Sequence, residues 1–151
     1  MAYWLMKSEP AEVSIDDLAA APGKSVAWFG VRNYQARNFM RDQMKVGDMV
    51  FFYHSSCEEP GIAGLATVSK LAYPDATQFD SKSKYFDVKA TKAEPRWFNV
   101  DVKFSKKTRL MSIQELRSYP ELAAMRILQK GNRLSITPIE PNEWDFIVAK
   151  L

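Results

Sequence analysis

The chain has 151 residues, the length of one ordinary domain, and 21 Lys and Arg against 18 Asp and Glu leave a net charge of only +3. That balance excludes a binder driven by a globally basic surface, so any affinity for nucleic acid has to be local. With one cysteine (Cys57), one histidine (His54) and no apolar run approaching a membrane span, there is no internal disulfide, no Cys/His zinc site and no membrane anchor to expect. The start, MAYWLMKSEP, lacks the basic and long apolar regions of a signal peptide. The expectation is a single domain over 1–151, cytoplasmic, without cofactor or metal, standing on packing alone.

In chain order, Tyr3 to Lys7 reads as a first strand, and Ser14 with Asp17 as a capping box for a short helix that ends before Pro22-Gly23. Asn33 to Lys45 reads as a second helix, with Ala36, Met40 and Met44 one turn apart on one face and Phe39 beside them. Met49 to Ser55, dense in aromatic and β-branched types, suits a strand buried on both faces. After the SSCEEPG loop, Ile62 to Ser69 returns as its hairpin partner. Trp97 to Phe104 alternates with period two, a half-buried strand. Ser112 and Glu115 form another capping box, Glu121 to Gln129 continues as helix with Leu122, Met125 and Leu128, and Ser135 to Ile139 closes as a short strand. Strands of unequal length with helices inserted irregularly give an α+β fold, a curled mixed sheet or small barrel, rather than a doubly wound one.

The stretch SVAWFGVRNYQARNFMR at 25–41 places aromatic faces (Trp28, Phe29, Tyr34) among guanidinium and amide groups (Arg32, Asn33, Arg37, Arg41). Aromatic planes stack on bases, arginines pair with phosphate, and Asn offers a paired donor and acceptor to a base edge. Each residue also has a plainer reading: Trp28 as a core residue, Asn33 as the N-cap of the following helix, the arginines as a solvated face. Catalytic signals are weak. Gly23-Lys24-Ser25 has Leu18 where a phosphate-binding loop needs glycine, and His54 and Cys57 straddle a strand end without a third group to orient the imidazole.

YWLMKSEP (3–10), WFGVRNYQARNFMR (28–41), GDMVFFYHS (47–55), GIAGLATV (61–68), YPD (73–75) and RLSITPI (133–139) together closely resemble the EVE domain family. The resemblance implies a PUA-like fold, a curled five- or six-stranded sheet with flanking short helices, related to the YTH domains that read N6-methyladenosine. The implied function is a non-catalytic reader of a modified base, a modified cytosine or methylated adenine, in RNA or DNA. Matching the order of the YTH pocket residues implies a site at Lys7, Ser8, Trp28, Phe29, Arg32 and Asn33, with Tyr53 and His54 closing another side and Ile62 and Ala63 behind it. The further cage tryptophans of YTH domains have no counterpart at matching positions, so the aromatic residue that completes the cage stays open. Arg37, Arg41, Lys103, Lys106, Lys107 and Arg109 are the candidate backbone contacts, against a reading of the lysine run as a solvated loop. The rival is an enzyme like the related ASCH domains, some of which hydrolyse modified nucleosides; Lys7 would be its base, though at a strand end near Glu9 it is expected to stay charged.

Overall fold

The first strand, β1 (Tyr3–Ser8), buries Trp4, Leu5 and Met6 in succession. Three adjacent buried residues need cover on both faces of a sheet, and the computed structural model, which describes residues 1–151, shows that cover. β1 runs parallel to β3 (Met49–His54) with Tyr3 opposite Met49 and Ser8 opposite His54. β3 pairs antiparallel with β4 (Gly61–Pro74), and β4 with β5 (Phe98–Ser112). Short strands close the two edges, β2 (Ser25–Ala27) on β5 and β6 (Ile136–Ile139) on β1. The result is one mixed sheet in the order β2-β5-β4-β3-β1-β6. Of the two expected architectures it is the open sheet: β2 and β6 do not pair, so no barrel closes.

One face carries Trp4, Met6, Trp28, Val50, Phe52, Val100 and Val102 under α1 (Ile15–Ala20) and α2 (Tyr34–Asn38). The other carries Leu5, Phe51, Tyr53, Ile62 and Met111 under α3 (Ile113–Ser118) and α4 (Pro141–Val148). Each fully buried large side chain contributes about 1.5–3 kcal/mol. Trp144 of α4, a helix outside the expectations above, stacks on Phe51 (4.1 Å) and on Tyr3 (4.9 Å). Gly64 lets α1 approach the sheet, since a Cβ there would lie 2.5 Å from Ile15 and 2.7 Å from the Lys106 carbonyl.

The capping boxes and helix starts fall as expected at Ser14 and, for its hydroxyl, at Ser112. Three expectations need correction. The second helix stops at Gln43, its last turn widened so that the Met44 amide reaches the Phe39 carbonyl. The run 121–129 is two tight turns, Pro120–Leu122 and Arg126–Leu128, separated by an extended Met125. Its apolar residues recur every three positions, a spacing that fits a three-residue turn as well as an α-helix. Finally, β4 and β5 extend well beyond 62–69 and 97–104, so the lysine run lies on a strand and not in a loop. No helix is long and apolar enough to cross a membrane.

Candidate nucleic-acid interface

β2 ends in a change of direction that builds the site. The Trp28 amide still donates to the Val100 carbonyl at 2.8 Å, prolonging the ladder, and then Gly30 turns the chain at φ +83° with its own amide donating to Asp75 at 2.8 Å. Trp28 is thereby held 7% exposed, edge-on to Phe52 at 5.4 Å, while Phe29 is left 42% exposed. The Tyr85 ring packs over Gly30, where any Cβ would lie 2.7 Å from it, and meets Phe29 edge to face at 5.8 Å. Trp28, Phe29 and Tyr85 therefore form an aromatic wall. It faces the ends of β1 and β3 across a cavity of about 420 Å³ whose other sides are Lys7 and Ser8, Glu12, Ser55 and Ser56, and Arg133 and Ser135. Volumes of this order hold small ligands.

Tyr85 belongs to the long excursion between β4 and β5, and buried polar groups tie that excursion down. Asp75 accepts from the amides of Gly30 and Thr77, the Thr77 hydroxyl and Arg32. Burial raises its pKa, but the Thr77 hydroxyl, the two amides and Arg32 together outweigh burial and hold it below the usual aspartate value. Gln78 bridges the two ends, donating to the carbonyls of Asp75 and Trp97 and accepting from the amides of Arg96 and Trp97. The Tyr85 hydroxyl donates to Glu12, which also pairs with Lys84.

Within this frame the expected residues separate. Lys7, Ser8, Trp28, Phe29 and Arg32 line the cavity together. Arg32, however, spends all five N–H donors on the Val31 and Tyr85 carbonyls, Asp75 and Thr77, so it braces the wall and has no donor left for a phosphate. Asn33 caps α2, its side-chain oxygen accepting from the Ala36 amide at 3.0 Å. His54 accepts from the Ile15 amide through Nε2 at 3.1 Å, and burial lowers its pKa, so it is a neutral support for α1. Tyr53 and Ile62 face the opposite core, and Ala63 is buried beneath the Trp28 side.

The candidate backbone contacts lie elsewhere. Arg37 rests on the Tyr34 ring at 4.7 Å and Arg41 pairs with Asp42. On β5, Lys107 pairs with Asp16 and Arg109 with Glu115, while Lys103 and Lys106 are exposed; none of these lines the cavity. The cation at the cavity that sequence reasoning missed is Arg133, which is exposed and makes no hydrogen bond or ion pair within the chain. It stands at the start of the RLSITPI string but outside any strand, where nothing in the sequence marks it. Tyr85, Glu12, Ser55, Ser56 and Ser135 were missed for the same reason: they are brought in by loops. Lys7 departs from expectation in the direction of its pKa, which burial lowers with no ion pair to offset it. Phe29, a lining residue, also has a main-chain N–H with no partner in the chain.

An EVE domain family model matches residues 2–150. Human thymocyte nuclear protein 1 is 42% identical over 165 aligned residues, covering 98% of this chain and 73% of that protein. A crystal structure of human THYN1 in complex with DNA containing 5-methylcytosine superposes with a TM-score of 0.93, covering 99% of this chain and 97% of the other. A crystal structure of a Pseudomonas syringae protein, 47% identical, superposes at 0.94 and covers 99% of both chains. An ASCH protein of Zymomonas mobilis, at 9% identity and a TM-score of 0.52, shares the fold alone.

Proposed function

The chain belongs to the EVE domain family, and on that premise we propose that it is a non-catalytic reader of a methylated cytosine in DNA, which it takes out of the base stack into the cavity beside Trp28. The observation that carries this reading is the aromatic wall of Trp28, Phe29 and Tyr85 facing polar side chains, Lys7, Ser55, Ser56 and Arg133 among them, across about 420 Å³. A flipped base needs an aromatic or apolar surface for its face and hydrogen-bonding groups for its edge. Phe29 supplies an exposed ring and a free amide from one residue, and a 5-methyl group adds apolar surface that these rings can cover. Arg133, free at the mouth, is the group for a flanking phosphate. The choice of DNA and of methylated cytosine is supported by the DNA bound to the human relative.

The test is a titration with 5-methyl-2′-deoxycytidine and with 2′-deoxycytidine, using the parent and Phe29→Ala. Trp28→Ala is a poor probe, because removing a buried Trp costs about 3–5 kcal/mol of stability. Phe29 is exposed enough to be truncated without that loss. The parent is expected to prefer the methylated nucleoside, and Phe29→Ala to weaken it by about 1–3 kcal/mol, the range of base–aromatic stacking. Equal binding of the two nucleosides by the parent overturns the reading.

One observation favours a second reading. A half-buried Lys7 of lowered pKa in the cavity is what an ASCH-like hydrolase of modified nucleosides would use as its base. Prolonged incubation with modified nucleosides decides it: the reader returns them unchanged, whereas a hydrolysed product that disappears in Lys7→Ala establishes the enzyme.

A further inference from the structure

The wall that bounds the base cavity has a second side. A cavity of about 290 Å³ opens there, lined by Phe86, Asp87, Val88 and Trp97, and it shares Arg32 and Tyr85 with the first. Phe86 is 42% and Val88 79% exposed, an unusual display of apolar groups on a segment that is otherwise tied down. Asp87 accepts from the Trp97 indole at 2.7 Å, and its amide donates to the Gln78 carbonyl at 3.0 Å. The exposed side chains therefore stand on a tethered backbone, which lowers the cost of ordering this segment on binding. Cations border the same opening, with Lys84, paired with Glu12 but largely exposed, lining it and Arg96 at 3.9 Å from Asp87, too far for a direct hydrogen bond. A rigid stack links the two cavities: Arg37 over Tyr34 (4.7 Å), Tyr34 on Trp97 (4.8 Å), and Arg32 over both Trp97 (5.4 Å) and Tyr85 (5.5 Å).

We propose that this second cavity takes the nucleotide next to the one being read, its base against Phe86 and Val88 and its phosphate toward Lys84 and Arg96. The inference rests on the reader function above. It assigns a ligand class because the arrangement combines what single-stranded nucleic acid needs, aromatic surface for any base with positive charge beside it, one partition away from the base pocket. The Asp87 carboxylate is an acceptor for an exocyclic amino group of that neighbour.

The test compares free 5-methyl-2′-deoxycytidine with a pentadeoxynucleotide carrying one central 5-methylcytosine, on the parent, Phe86→Ala and Val88→Glu. The parent is expected to bind the pentanucleotide more tightly than the nucleoside. Phe86→Ala should weaken the pentanucleotide roughly 5- to 150-fold, the equivalent of one lost stacking contact, with nucleoside affinity and melting temperature unchanged. Val88→Glu should do the same, its loss shrinking as salt is raised, because an added carboxylate repels phosphate. Unaltered pentanucleotide binding in both variants overturns the inference while leaving the base pocket standing. So does a parallel loss of nucleoside binding. If the parent shows no preference for the methylated nucleoside, the reader function fails and this inference with it.

Discussion

Asn33 is placed to cap a helix, and that fixes what its removal does. Asn33→Ala should lower stability by about 1 kcal/mol, the usual cost of a lost N-cap, and leave the preference for the methylated base intact; denaturant unfolding and the nucleoside titration check the two halves. Arg133 has the opposite profile. With no partner inside the chain, its loss leaves the fold alone, and Arg133→Ala should weaken methylated and unmethylated DNA about equally while reducing the salt slope by about 1, read from titrations at several salt concentrations. Gly30 joins structure to function in one atom. A Cβ at φ +83° is strained and would strike the Tyr85 ring, so Gly30→Ala should cost about 1 kcal/mol or more of stability and open the aromatic wall, with weaker nucleoside binding as the readout.

At the scale of elements, the excursion between β4 and β5 depends on one buried carboxylate. Asp75 is held below the usual aspartate value in the folded protein, so its stabilising contribution is complete above the unfolded value and is lost as pH falls through the lower folded one. Acid unfolding should therefore begin with loss of protection of the Gly30, Thr77 and Trp97 amides, read by hydrogen exchange at decreasing pH, and Asp75→Asn should weaken this segment at neutral pH and flatten the acid dependence. The elements differ in how far the sequence reveals them. Strand β3, the caps at Ser14 and Asn33 and the Met40–Met44 face were legible because each is specified by neighbours in the chain. Trp28 and Phe29 stood out in the sequence as stacking aromatics, Lys7 and Ser8 were legible as pocket residues only through the resemblance, and neither route could supply Tyr85, held at the cavity by its hydroxyl on Glu12 and by Arg32 on its carbonyl, or Arg133, which lines it from the loop before β6. Periodicity misled at 121–129, where a repeat of three fits two kinds of turn.

The whole molecule is a sheet covered on both faces, with the cavity of about 420 Å³ opening where the parallel strands β1 and β3 end. A net charge of +3 cannot hold DNA over a wide surface, and the charged strand β5 spends Lys107 and Arg109 on internal pairs. Under the proposed function, recognition is concentrated at the aromatic cavity and few sequence-independent contacts lie outside its surroundings. The measurement that tests this most directly is the position of the methylated base in a crystal structure of the chain with a duplex carrying a single 5-methylcytosine. The account predicts the base turned out of the helix, its face against Trp28 and Phe29 and its edge within hydrogen-bond reach of the Phe29 amide. A methylated base still stacked in the duplex, with DNA held against the β5 lysines instead, would contradict it.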